Sequence, residues 1–123
     1  MSNENIKKFK EEIRRLTKKR EQLLARFFSD EKLVLGSYME TRMRCGTAGC
    51  HCHRDGGHPT IRISRWVDGK LKSKIVRIDD RKWVAKAAEN YKAHKQAIIE
   101  ISKINEREKE LLKMIVKQKS QIY

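Results

Sequence analysis

From Asn5 to Phe28 the apolar positions fall at Ile6, Phe9, Ile13, Leu16, Leu23 and Phe27, with Arg20 at the one missing step. Spacings of three, four and seven are those of a heptad seam, so this stretch is expected to form a helix of about 25 residues. Glu11 and Arg15, four apart on the polar side, add a little support, and Ser2 or Asn3 is expected to cap the start. Apolar positions return at helical spacing after Asp79 and Asp80, either of which suits a helix N-terminus. This second seam runs through Val84, Ala87, Tyr91, His94, Ile98 and Ile101. It then drifts to Ile104, Leu111 and Ile115, crossing polar Asn105 and Glu108. Arg20, Asn105 and Glu108 read as devices that set register, or as solvated gaps, rather than as reacting groups.

Between the helices the period changes. "TIRISRWVDGKLKSKIVRI" (60 to 78) holds two β-prone runs around Asp68-Gly69, a strong hairpin signal. Whether its loop has two residues or three stays open. One face of the hairpin should carry much of Arg62, Arg65, Lys70, Lys72, Lys74 and Arg77. The stretch from 29 to 44 is less regular: Ser29 or Asp30 ends the first helix or caps a short second one, and Tyr38, Met39 and Met43 are expected to pack under the loop that follows. Helix length carries a further expectation. At 1.5 Å per residue the first helix spans roughly 38 Å and the last roughly 60 Å. An antiparallel pair would then leave Leu111, Leu112, Ile115 and Val116 overhanging, and a second copy of the chain would bury them as a homodimer.

The chain has 123 residues, and all six glycines lie between Gly36 and Gly69, which divides it into glycine-free flanks and a turn-rich middle. The expected fold is mainly α with a small β-hairpin. An N-terminal helical segment (1–35) and a long C-terminal helix (80–123) form an antiparallel coiled-coil-like pair, joined by a zinc-stabilised loop and hairpin (36–79), all as one structural domain. No apolar run approaches a membrane span, and "MSNENIKKFK" lacks the apolar core of a signal peptide. A cytoplasmic, reducing setting is expected, nucleoid-associated if the target is DNA. There an odd number of cysteines points to thiolate or metal chemistry rather than disulfides.

All three cysteines and three of the four histidines fall within "CGTAGCHCHRDGGH", Cys45 to His58. Three thiolates and one imidazole make a recognised tetrahedral zinc set. Cys45, Cys50, Cys52 and His58 are the expected ligands, with Gly46, Gly49, Gly56 and Gly57 supplying the turns of a short chelating loop. The Cys-x-Cys step needs a backbone bend, and His51 and His53 compete with His58 for the fourth place. His58 is preferred because its spacing closes the loop just before Pro59 and the hairpin. A catalytic zinc would need an open position and a nearby base. Asp55 is the only carboxylate in the loop, so no enzyme and no small-molecule substrate are expected.

"GSYMETRMRCGTAGCHC", the glycine and "GH" after it, the Val-Asp-Gly-Lys turn and "NYKAHKQAIIEISKINEREKELL" together resemble a family of small bacterial and archaeal proteins catalogued as a domain of unknown function. The resemblance covers roughly Gly36 to Leu112. It implies Cys45, Cys50, Cys52 and His58 as the core, with Asn90, Tyr91 and Asn105 as landmarks of the last helix. After His58 this chain reads "HPTIRIS", where the family pattern has His-Gly-Pro-Tyr-Tyr. Such proteins tend to occur near transposases and other mobile elements, which implies a DNA-linked role.

Charge agrees with that direction. Thirty basic residues stand against sixteen acidic, a net +14, the footprint of a polyanion binder. The expected function is nucleic-acid binding, DNA favoured over RNA and duplex over single strand, because aromatic platforms for stacking single-stranded bases are missing, Trp66 being the one candidate. Arg42, Arg44, Arg54, Arg62, Arg65, Lys70, Lys72, Lys74 and Arg77 would meet phosphate around a ribbon able to enter a major groove. The alternative is a protein-interaction adaptor whose helices dock on a larger nucleoprotein or recombinase.

Overall fold

The structure, a computed structural model, describes residues 2–123, with side chains from Glu4 onward. The caps expected at Ser2 or Asn3 lie outside the described side chains. The elements are α1 (Ser2–Ala25), a 3-10 turn (Arg26–Phe28), β1 (Ser37–Met43), a second 3-10 turn (His51–His53), β2 (His58–Val67), β3 (Lys70–Ile75), a third 3-10 turn (Ile78–Asp80) and α2 (Arg81–Lys119). Packing gathers them into two compact units. One holds the chain up to Asp30 together with Ala93–Tyr123; the other is Glu31–Lys92. The continuous helix α2 contributes its first turns to one unit and the rest to the other.

The first unit is a two-helix hairpin. Glu12 accepts from Arg107 at 3.0 Å, Arg20 bonds Asn105 and Glu108, and Phe27 meets His94 edge-on. Partners on α2 therefore fall as those on α1 rise, which is the antiparallel pairing expected. The three polar seam positions meet one another, Arg20 donating to Asn105 Oδ1 at 3.0 Å. Ser29 ends the first helical segment, its hydroxyl donating to the Arg26 carbonyl at 2.8 Å.

Burial on α2 follows a strict seven-residue step through Ala97, Ile104 and Leu111, the period that keeps one helix facing another. This phase excludes Ile98, which is 56% exposed, although the spacing placed it on the seam. The overhang also differs from expectation. Because residues 81–92 belong to the other unit, α1 is matched by the remainder of α2, and the two lengths agree. Leu111 is accordingly 1% exposed within a single chain, and Ile115 is half-buried. Only Leu112 and Val116 of the four expected overhang residues stay exposed.

The second unit is a three-stranded antiparallel sheet, in the order β1-β2-β3, with the first turns of α2. The strand β1 was not foreseen. Its alternation is masked by Glu40 and Thr41, and it pairs Ser37 with Ser64 through Met43 with His58. The hairpin loop has two residues, since Val67 pairs Lys70. Asp68 and Gly69 both have positive φ, 51° and 78°, as a type I′ turn requires.

That register settles which side chains share a face. Tyr38, Ile61 and Ile63 lie on one side. Tyr38 lines a cleft with Ala85 and Ala88 of α2, and Ile63 lines another with Val84, so this side turns to the helix. Val84, Ala87 and Ala88 are buried there. The Val34 amide donates to the Ala87 carbonyl at 3.1 Å, and Asn90 Nδ2 donates to the Lys32 carbonyl at 3.4 Å. Asp80 accepts the Trp83 indole N–H at 3.0 Å just where α2 starts. Met39 and Met43 do not pack under the loop as expected: they point to the opposite side of the sheet and are exposed.

Candidate metal centre

The cysteine loop joins β1 to β2, and their pairing of Met43 with His58 brings its two ends together. Tight turns complete the closure. Gly57 has φ 104°, and a Cβ there would stand 2.6 Å from the Met43 carbonyl carbon. Its amide donates to the Cys52 carbonyl at 2.6 Å. No side chain fits at that position. Gly46, by contrast, has open space around it and no left-handed φ, so the loop does not need glycine there.

One ligand atom each from Cys45, Cys50, Cys52 and His58 lies within 4.8 Å of the others. Cys50 Sγ is 3.4 Å from His58 Nε2, and Cys52 Sγ is 3.4 Å from Cys45 Sγ. A tetrahedral ion with thiolate arms of about 2.3 Å and an imidazole arm of about 2.0–2.1 Å would set these edges at roughly 3.6–3.8 Å. Spacing and donor set both fit, and the four residues can hold a metal ion. His58 is the histidine placed among the three thiols. His51 stays beside the cluster, edge-on to His58 and with Nδ1 3.9 Å from Cys50 Sγ. His53 turns away to the Thr47 carbonyl at 3.1 Å. The 3-10 turn over His51–His53 is the bend that the Cys-x-Cys step demanded.

Electrostatics favour thiolate at one corner. A hydrogen bond from the Thr47 backbone, helped by others from Cys52, His58 and Cys50, lowers the Cys45 thiol from 9.0 to about 6. Burial raises the Cys52 thiol instead; its residue is 0% exposed. The Cys45 amide points at Cys52 Sγ, 3.3 Å away, a donor that would stabilise negative charge on that sulfur once formed. All three cysteines are unbridged.

The expected cations distribute unevenly about this centre. By register, Arg42, Arg65, Lys70, Lys72 and Lys74 share the side of the sheet that carries Tyr38, Ile61 and Ile63 and turns to α2, and all five are exposed. Arg62 does not join them: it lies on the other side, against the Met43 thioether. Arg44 and Arg54 lie in the cysteine loop, and Arg77 follows β3. Arg42 also donates to the Asp55 carbonyl at 3.4 Å, tying strand to loop.

Sequence reasoning picked out Trp66 but missed the opposite side on which it stands. Met39, Trp66, Leu71 and Ile75 are all exposed there. The signal was present: a two-residue turn puts Trp66 and Leu71 in one cross-strand pair, with Ile75 on the same side. Among the described residues no helix is long and apolar enough to cross a membrane. In comparisons with known proteins, the profile of a domain of unknown function (DUF6788) matches residues 6–86. Neither a curated protein nor a solved structure matches the chain.

Proposed function

This chain belongs to the DUF6788 family, and we propose that it is a non-enzymatic nucleic-acid-binding protein whose sheet is held in shape by zinc. Cys45, Cys50, Cys52 and His58 would hold the ion, which supplies a cross-link between the ends of β1 and β2. The free energy of binding it becomes folding free energy for a sheet with little apolar bulk of its own.

One observation carries the proposal. Five exposed cations lie on one side of this sheet, with Arg44, Arg54 and Arg77 around it, against only Glu40, Asp55 and Asp68 in the same stretch. Phosphate contacts release counterions, so affinity should fall as a straight line in log salt, by about 0.9 per phosphate for duplex DNA and about 0.7 for a single strand. Titrating labelled DNA across a salt series tests this. Lys70→Glu, Lys72→Glu and Lys74→Glu together should flatten the slope by about two to three contacts. A binding constant indifferent to salt ends the reading.

A second reading, the adaptor, has its own support. A groove of about 500 Å³ on the helical hairpin runs beside Arg20, Leu112 and Val116, open apolar surface of the kind that takes a partner helix. Self-association of two copies at Leu112 and Val116 is the form the homodimer proposal now takes. Sedimentation of the chain beside its Val116→Glu variant measures it.

A further inference from the structure

The side of the sheet turned away from α2 presents alternating rows. Trp66 stands opposite Leu71, Ser64 opposite Ser73, and Arg62 opposite Ile75. Trp66 is 71% exposed, the most open aromatic among the strands, and Leu71 and Ile75 are more than half exposed. The Ser64 and Ser73 hydroxyls bond each other at 2.7 Å between the other two rows. Cations occupy the neighbouring positions on the same strands: Arg65 precedes Trp66, Lys70 and Lys72 flank Leu71, and Lys74 precedes Ile75. Those of β3 stand on an edge strand, from which long side chains can reach round to either side.

This mixture discriminates between occupants. An apolar protein surface laid here would strip water from the Arg62 guanidinium without replacing its hydrogen bonds, which is costly. A nucleobase brings a flat apolar face for Trp66 together with an edge of donors and acceptors, and its phosphates bring the charge the cations need. Paired bases hide both faces in the stack and cannot lie on an indole. Trp66 and Arg62, four residues apart on one strand, are separated by roughly 13 Å, enough for two stacking positions with the serine row between them.

We propose that this open side of the sheet binds single-stranded nucleic acid, with one base stacked on Trp66 and a second on the Arg62 guanidinium. The proposal rests on the nucleic-acid reading above and narrows it, replacing the duplex that the sequence favoured.

Anisotropy of fluorescein-labelled oligo(dT) and oligo(U), each of about 16 nucleotides, against a hairpin duplex of the same length tests it on the zinc-loaded chain. Single strands of either sugar should bind more tightly than the duplex. Trp66→Ala should weaken single-strand binding roughly five- to a hundred-fold while leaving the salt slope unchanged, because no phosphate contact is lost. Trp66→Phe should retain most of the affinity, and Trp83→Phe all of it. Zinc content and melting temperature of Trp66→Ala should match those of the parent, which separates loss of stacking from loss of fold. Duplex binding that equals or exceeds single-strand binding and ignores Trp66→Ala overturns the stacking side but spares the nucleic-acid reading. Failure of every oligonucleotide to bind overturns both.

Discussion

Three histidines within eight residues offer the same imidazole to the same cysteines, and backbone placement chooses among them. His58 begins β2 and is held by pairing with Met43, so its Nε2 reaches Cys50 Sγ. His53 is engaged by the Thr47 carbonyl, and His51 stops at the rim. The zinc-loaded protein should therefore carry one equivalent of ion, read by dye titration after unfolding. His51→Ala and His53→Ala should keep that equivalent. His58→Ala and Cys50→Ser should hold the ion far more weakly and drop the melting temperature of the sheet. An ion lost from His51→Ala but kept in His58→Ala would reverse the assignment. The cysteines were legible from spacing and residue type alone. The choice of His58 was legible only as a preference, because loop closure depends on a strand the sequence did not announce.

At the scale of elements, the helical seam was legible where it was most regular. Every α1 position expected on it from Ile6 to Leu23 is at least half covered, including Arg20. The α2 seam was legible except at Ile98: Ala97, small and inconspicuous, is buried while its neighbour Ile98 is not. Close approach of two helices favours the smaller side chain. The pairing also makes a sharp prediction about adjacent leucines. Leu111→Ala should cost about 2–4 kcal/mol in urea unfolding, whereas Leu112→Ala should change stability by roughly 0.5 kcal/mol or less. Equal losses at both positions, growing as the protein is diluted, would instead mean that the overhanging arrangement with a second copy is the stable one. Strand β1 is the element the sequence concealed. Its polar residues sit on an edge strand and carry no clean alternation, so only pairing with β2 identifies it.

For the whole molecule, two compact units on one continuous helix predict that stability is not uniform. The helical hairpin holds its own buried residues, Ala97, Ile104 and Leu111. In the proposed function an ion held by the cysteine loop cross-links the ends of β1 and β2 in the sheet unit. Stripping the ion with a chelator should therefore abolish amide-exchange protection across residues 37–77 while protection around Ile104 persists. Thermal unfolding of the stripped protein should separate into two steps. Simultaneous loss of protection in both units would show that the metal centre supports the entire fold.

Residue type and spacing alone determined the helical flanks, the place of the hairpin turn, the cysteine–histidine cluster and the excess of positive charge. Each depends on neighbours close in sequence, where period and chemistry are visible. Tertiary structure alone decided the length of α2 spent on the sheet, the third strand and which side of the sheet turns to the helix. The exposure of Trp66 was decided there too. Those features follow from which distant segments meet, and a one-residue change of strand register would have exchanged the two sides of the sheet.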